Sequence, residues 1–99
     1  MTKQELVARM QEGQAWIPGK RVKLDFGDQG VILLDGAASQ VSEEDGAADT
    51  TIKVAWDDWQ AMADGQLDGM TAFMTGKLRI EGDMSNAMQL QGVLAKLRG

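Results

Sequence analysis

The segment Asp68-Gly69-Met70-Thr71-Ala72-Phe73-Met74-Thr75-Gly76-Lys77-Leu78-Arg79-Ile80-Glu81-Gly82-Asp83-Met84 encodes a helix, a strand and the start of a second helix. Asp68 offers a side-chain oxygen at an N-cap, Met70, Phe73 and Met74 recur at helical spacing, and Gly76 stops the turn. Leu78 and Ile80 then alternate with Lys77, Arg79 and Glu81, the period of a half-buried strand. Asp83 is placed to cap a last helix, Met84 to Arg98.

Upstream, Leu6, Val7 and Met10 oppose Lys3, Gln4, Arg9, Gln11 and Glu12, which suits a surface helix ended by Gly13. Pro18-Gly19 turns the chain, and from Arg21 the period becomes two. Val22, Leu24 and Phe26 alternate with Arg21, Lys23 and Asp25. Gly27-Asp28-Gln29-Gly30 connects this strand to Val31 through Leu34, predicting a hairpin. Asp35-Gly36 turns into a weaker strand, Ala38 to Ser42, followed by the acidic loop Glu43-Glu44-Asp45-Gly46. Thr50 to Ala55 alternates again, and Asp57 to Ala63 reads as a short helix with Trp59 and Met62 on one side. Strands with one polar face imply an antiparallel or mixed sheet, solvated on one side and covered by helices on the other. The expected class is α+β, with five strands in one domain spanning residues 1–99.

Composition closes many functions. Ten Lys and Arg against fifteen Asp and Glu give a net charge of −5, which opposes a nucleic-acid footprint. There is no Cys, His or Tyr. Disulfides, thiolate nucleophiles, Ser–His–Asp triads and the commonest metal ligands are therefore excluded. No catalytic residues, metal or cofactor are expected, and the chain reads as a non-enzyme. The start carries charge without an apolar run, and no stretch approaches a membrane span, so the expected location is cytoplasmic. Residues 1–23 carry +3 and residues 24–99 carry −8, which predicts weak binding at most to anionic bilayers.

Several apparent motifs fail on spacing. The glycines at 69 and 76 are too far apart for a phosphate loop, and Leu78 stands where that loop needs Ser or Thr. The 43–45 carboxylates lack the register of a calcium loop. Asp57 and Asp58 point about 100° apart on a helix and answer its dipole. Methionine is the anomaly. Five of the seven (Met62, Met70, Met74, Met84, Met88) fall in the helices of the second half, and Met is over-used on surfaces that accept varied apolar ligands. The last helix is apolar around most of its circumference, as expected if one side packs on the sheet and another lines a pocket. A helix wedged between sheet and neighbouring helix accounts for the pattern equally.

The 65–84 segment resembles the sterol carrier protein family, the non-specific lipid-transfer proteins. Ala72, Phe73, Gly76, Lys77, Leu78, Ile80, Gly82 and Met84 sit at that family's fixed positions. Ala48-Asp49-Thr50-Thr51-Ile52 looks like its lead-in to the fourth strand, and Ala87-Met88-Gln89-Leu90-Gln91 is similar to its final helix. Gly69 replaces the usual Pro. Ala95-Lys96-Leu97 is followed by Arg98-Gly99, so the peroxisomal address of many eukaryotic members is not terminal here, and a bacterial-type cytoplasmic member is expected. The resemblance implies a five-stranded mixed, mostly antiparallel sheet covered on one face by about four helices. It also implies a hydrophobic tunnel for fatty acids, fatty acyl-CoA or sterol-like lipids, in a monomer or homodimer. The apolar arc and the motif together predict a lining of Phe26, Trp59, Met62, Met70, Phe73, Met74, Ile80, Met84 and Met88, with Gln91 a candidate for the head group. A non-catalytic dimerisation or accessory subunit with a vestigial cavity is the alternative.

Overall fold

Alternation in the strands and amphipathic spacing in the helices produce a mixed sheet with helices packed against it. The computed structural model describes residues 2–97, apart from the side chains of residues 63, 91 and 94–97. In chain order the elements are α1 (Lys3–Glu12), β1 (Arg21–Asp25), a 3-10 turn (Gly27–Gln29), β2 (Val31–Asp35), β3 (Gln40–Ser42), β4 (Thr50–Val54), α2 (Trp56–Ala63), α3 (Gly69–Met74), β5 (Leu78–Gly82) and α4 (Met84–Leu97). Among the described residues the spatial strand order is β3-β2-β1-β4-β5, with β1–β4 parallel and the other three pairs antiparallel. This is the α+β class that the sequence predicts.

Register explains the core. Val41, Leu34, Val22, Thr50 and Gly82 lie side by side across the five strands, and Ile32, Leu24, Ile52 and Ile80 form the next row. Apart from Gly82, which has no side chain, all of these are buried except Ile80, which is half-buried against the cluster. Leu6 and Met10 of α1, Trp59 of α2, Ala72 of α3, and Ala87 and Leu90 of α4 complete it. α1 also closes an edge: Gln11 Oε1 accepts the Val41 N–H of β3 at 2.8 Å.

The opposite face departs from simple alternation. Leu33 points away from that core by register, yet it is buried. The acidic loop crosses beneath it, with Gly46 against the Leu33 side chain and Asp45 bound to Lys23 at 2.7 Å. Strand periodicity reads only one sheet face at a time, so a loop arriving from elsewhere is invisible to it.

Thr50 and Asn86 are the polar side chains that the fold buries among the described residues. The Thr50 hydroxyl donates to the Asp83 carbonyl at 2.7 Å and accepts from Asn86 Nδ2 at 3.1 Å. Asp83 Oδ1 accepts the Ser85 N–H at 2.8 Å, the predicted cap of α4. Beside this link Gly82 has φ +91°, and a side chain there would overlap the Asp49 carbonyl oxygen. Glycine is required by both conformation and space.

Thr50→Val should strand the Asn86 amide and the Asp83 carbonyl and cost about 1–3 kcal/mol. At about 4–8 °C per kcal/mol for a domain of this size, melting by circular dichroism should fall at least about 4 °C. Asp35 gives a pH prediction. The Ala38 N–H holds its carboxyl below the ordinary value, Arg21 and the Ala37 N–H add to this, and partial burial opposes it. A lowered folded pKa contributes stability above about pH 4, lost as pH falls through the lower folded value. Asp35→Asn should therefore flatten the melting-temperature decline measured below pH 4.

Candidate functional site

Phe26, at the end of β1, organises one end of the helical side. Its ring meets Trp56 edge-on at 5.0 Å and Trp59 at 5.7 Å. Both indoles come from α2, which follows β4 with only Ala55 between them, so the strand delivers them to Phe26 directly. Offset and edge-to-face pairs of this kind add to the area that they bury. Trp59 is buried and Trp56 half-buried. An open cleft of about 430 Å³ lies beside Phe26 at the carboxyl ends of the parallel β1–β4 pair. Asp25, Gly27, Asp28, Lys53, Val54 and Ala55 line it with Phe26.

The second group of predicted residues sits on the two helices that pack against β5. Asp68 caps α3 as expected, its carboxylate accepting the Thr71 N–H at 3.2 Å. Ala72 is the α3 side chain that goes into the core. Met70, Phe73 and Met74 are exposed, Met74 to 78%. On α4, Asn86, Ala87 and Leu90 are buried and Val93 packs on the core, whereas Met84 and Met88 are exposed, Met88 to 68%. The broad apolar arc of this helix thus divides into an inward side and a side left open.

The nine apolar residues predicted to line a pocket therefore fall into two sets. Phe26 and Trp59 are buried, and Met62 and Ile80 are half-buried against the core. Among the described residues, Met70, Phe73, Met74, Met84 and Met88 are the large hydrophobic side chains exposed on α3 and α4. Gln91 has its side chain outside the described residues. Sequence reasoning passed over Asn86, which the structure places in the core; a polar residue within an apolar arc is the signal that marks it.

Charge placement alters the picture of the N-terminal segment. Lys3 pairs with Glu43 at 3.1 Å, Arg21 with Asp35 at 3.3 Å and Lys23 with Asp45 at 2.7 Å. Three of its five cations thus already face carboxylates from later in the chain. Among the described residues, no helix is long and apolar enough to cross a membrane.

Fold and patterning define a small α+β domain whose helical side is rich in apolar surface. The chain belongs to the SCP-2 sterol transfer family, whose model matches residues 7–95. It is 33% identical over 81 residues to mouse stomatin-like protein 1, covering 78% of this chain and 20% of that protein. It is 41% identical over 63 residues to bovine sterol carrier protein 2, covering 64% of this chain and 12% of that one. The chain thus spans a fifth or less of these relatives' lengths. The solution structure of sterol carrier protein 2 from Aedes aegypti, a complex with palmitate, superposes with a TM-score of 0.75 at 19% identity, covering 92% of each chain.

Because Met74 and Met88 are exposed here, Met74→Arg and Met88→Arg should each shift the melting temperature by no more than about 4 °C. If these side chains contact an apolar ligand, the same changes should weaken its binding at least about tenfold, since the guanidinium would lose water. Melting and fluorescent fatty-acid titration on the same samples measure both.

Proposed function

We propose that this chain binds and carries apolar lipids without catalysing a reaction on them. The ligand is a fatty acid, a fatty acyl-CoA or a sterol-like molecule, held in a tunnel between the inner sheet face and helices α2 to α4. The observation that carries this reading is the set of five large apolar side chains exposed on the two helices that flank β5. Exposed apolar surface gathered in one region marks a binding site, and Met suits a site that must fit several shapes. The palmitate complex of the mosquito protein with the same fold supports it.

In this reading Phe26, Trp59, Met62 and Ile80 form the inner wall of the site. Met70, Phe73, Met74, Met84 and Met88 fold onto the chain as it enters, and Gln91 stays proposed for the head group from its helical position. Each buried methylene contributes about 0.8 kcal/mol. Ten of them give about 8 kcal/mol, of the order of a micromolar Kd before the cost of immobilising the chain. Affinity of that size needs no polar constellation, so neighbouring chain lengths should bind within about tenfold of one another. Localisation in the cytoplasm and a monomer or homodimer belong to the same proposal.

A second reading, a non-catalytic dimerisation or accessory domain, is favoured by the small share of its relatives that this domain occupies. Native mass spectrometry of protein purified without detergent separates the two. Co-purified lipid released on unfolding supports carriage, whereas a dry dimer that takes up no added fatty acid supports the accessory role. A competition series against one fluorescent fatty acid, spanning chain length, unsaturation and a sterol, tests selectivity. One ligand about a thousandfold tighter than the rest would overturn the non-specific carrier.

A further inference from the structure

Trp59 presents an anomaly that the apolar reading leaves unexplained. Its side chain is 5% exposed, and among the described residues its Nε1–H meets no hydrogen-bond acceptor. Buried polar groups in folded proteins are nearly always paired, so an orphan donor calls for a specific cause. Phenylalanine at this position would fill the aromatic cluster without that cost. The ring is packed in an aromatic cluster: Phe26 meets it at 5.7 Å with a 64° interplanar angle, and Trp56 meets Phe26 at 5.0 Å.

We infer that the Trp59 Nε1–H is the donor for an acyl oxygen of the bound lipid, the polar anchor inside an otherwise apolar site. The indole nitrogen donates and cannot accept, so it selects ligands that present an acceptor there: a carboxylate or an ester or thioester carbonyl. A bare hydrocarbon gains nothing from it. The surroundings weigh the choice between these two acceptors. Asp57 and Asp58 precede Trp59 on α2, and Asp25 and Asp28 line the cleft beside Phe26, with Lys53 engaged by Glu81 at 3.1 Å. This negative setting penalises a free carboxylate relative to a neutral acyl carbonyl. The inference rests on the lipid-carrier reading and adds a donor for the ligand's acyl oxygen, besides Gln91, which is proposed for the head group.

The experiment compares wild type with Trp59→Phe, both stripped of lipid, using palmitate, methyl palmitate and hexadecane as competitors of one fluorescent fatty acid. Trp59→Phe should weaken methyl palmitate about three- to tenfold and leave hexadecane unchanged within about twofold. Palmitate should weaken as well, and the difference between the two acyl arms identifies the acceptor. Circular dichroism melting of stripped Trp59→Phe checks that the variant is folded, since losing an unpaired donor and losing buried indole volume act in opposite directions. In wild type labelled with 15N at the indole nitrogens, the resonance that Trp59→Phe eliminates should move downfield with the acyl probes and not with hexadecane.

Equal weakening of all three probes, or no weakening of any, would overturn the anchor while leaving the carrier reading intact. So would a Trp59 indole resonance that does not respond to the acyl probes. Failure of wild type to bind any of the three would overturn both.

Discussion

The Thr50 hydroxyl joins two parts of the chain that are distant in sequence. By donating to the Asp83 carbonyl and accepting from Asn86, it fastens the first turn of α4 to the start of β4 inside a sealed core. On its other side, Asp49 binds the backbone of Arg21 through both its own N–H and its carboxylate, each at 2.9 Å. That contact sets the start of the parallel β1–β4 pair. Hydrophobic burial is non-directional and cannot choose a helix position by itself. A buried hydrogen-bonded group can, because every alternative position leaves it unpaired.

With its start fixed there, α4 must place residues 86, 87, 90 and 93 toward the sheet. Met84 and Met88 are then turned outward by helical geometry alone. The exposure of these methionines follows from the polar link and does not reflect loose packing. Gly82 serves the same constraint. Without a side chain, it lets β5 approach the Asp49 carbonyl closely enough for Asp83 to reach Thr50. The apolar side of α4 is the part of the helix that the fold itself leaves unused.

All five strands and four helices were legible because each carries its own period and stop signal. The caps at Asp68 and Asp83 and the β1–β2 hairpin appear where the sequence places them. Three features were not legible, for different physical reasons. The parallel β1–β4 pairing depends on a return across the sheet, and alternation within a strand does not encode its neighbour's direction. Leu33 is buried by a loop whose path is fixed by the Lys23–Asp45 ion pair, a contact between residues far apart in sequence. The helical methionines were recognisable as an excess, but composition could not say whether protein atoms or solvent would cover them.

The helices α3 and α4 carry five large apolar side chains outside the core among the described residues. A domain this small buries only about 60–65% of its unfolded surface, so its own residues supply a limited core. Under the carrier reading, an acyl chain laid against Met70, Phe73, Met74, Met84 and Met88 enlarges that core by surface the protein cannot cover alone. Binding and folding then share one source of free energy, and bound lipid stabilises the fold by RT ln(1 + [L]/Kd). Methionine keeps this exchange reversible. Its unbranched thioether can turn through several rotamers at small cost, so the surface adapts to an arriving chain and relaxes when the chain leaves. Leu or Phe at the four methionine positions would bury comparable area in fewer conformations and fit fewer ligand shapes. Under the carrier reading, the contacts around Thr50 hold α4 in place while the exposed methionines of α3 and α4 adapt to the ligand.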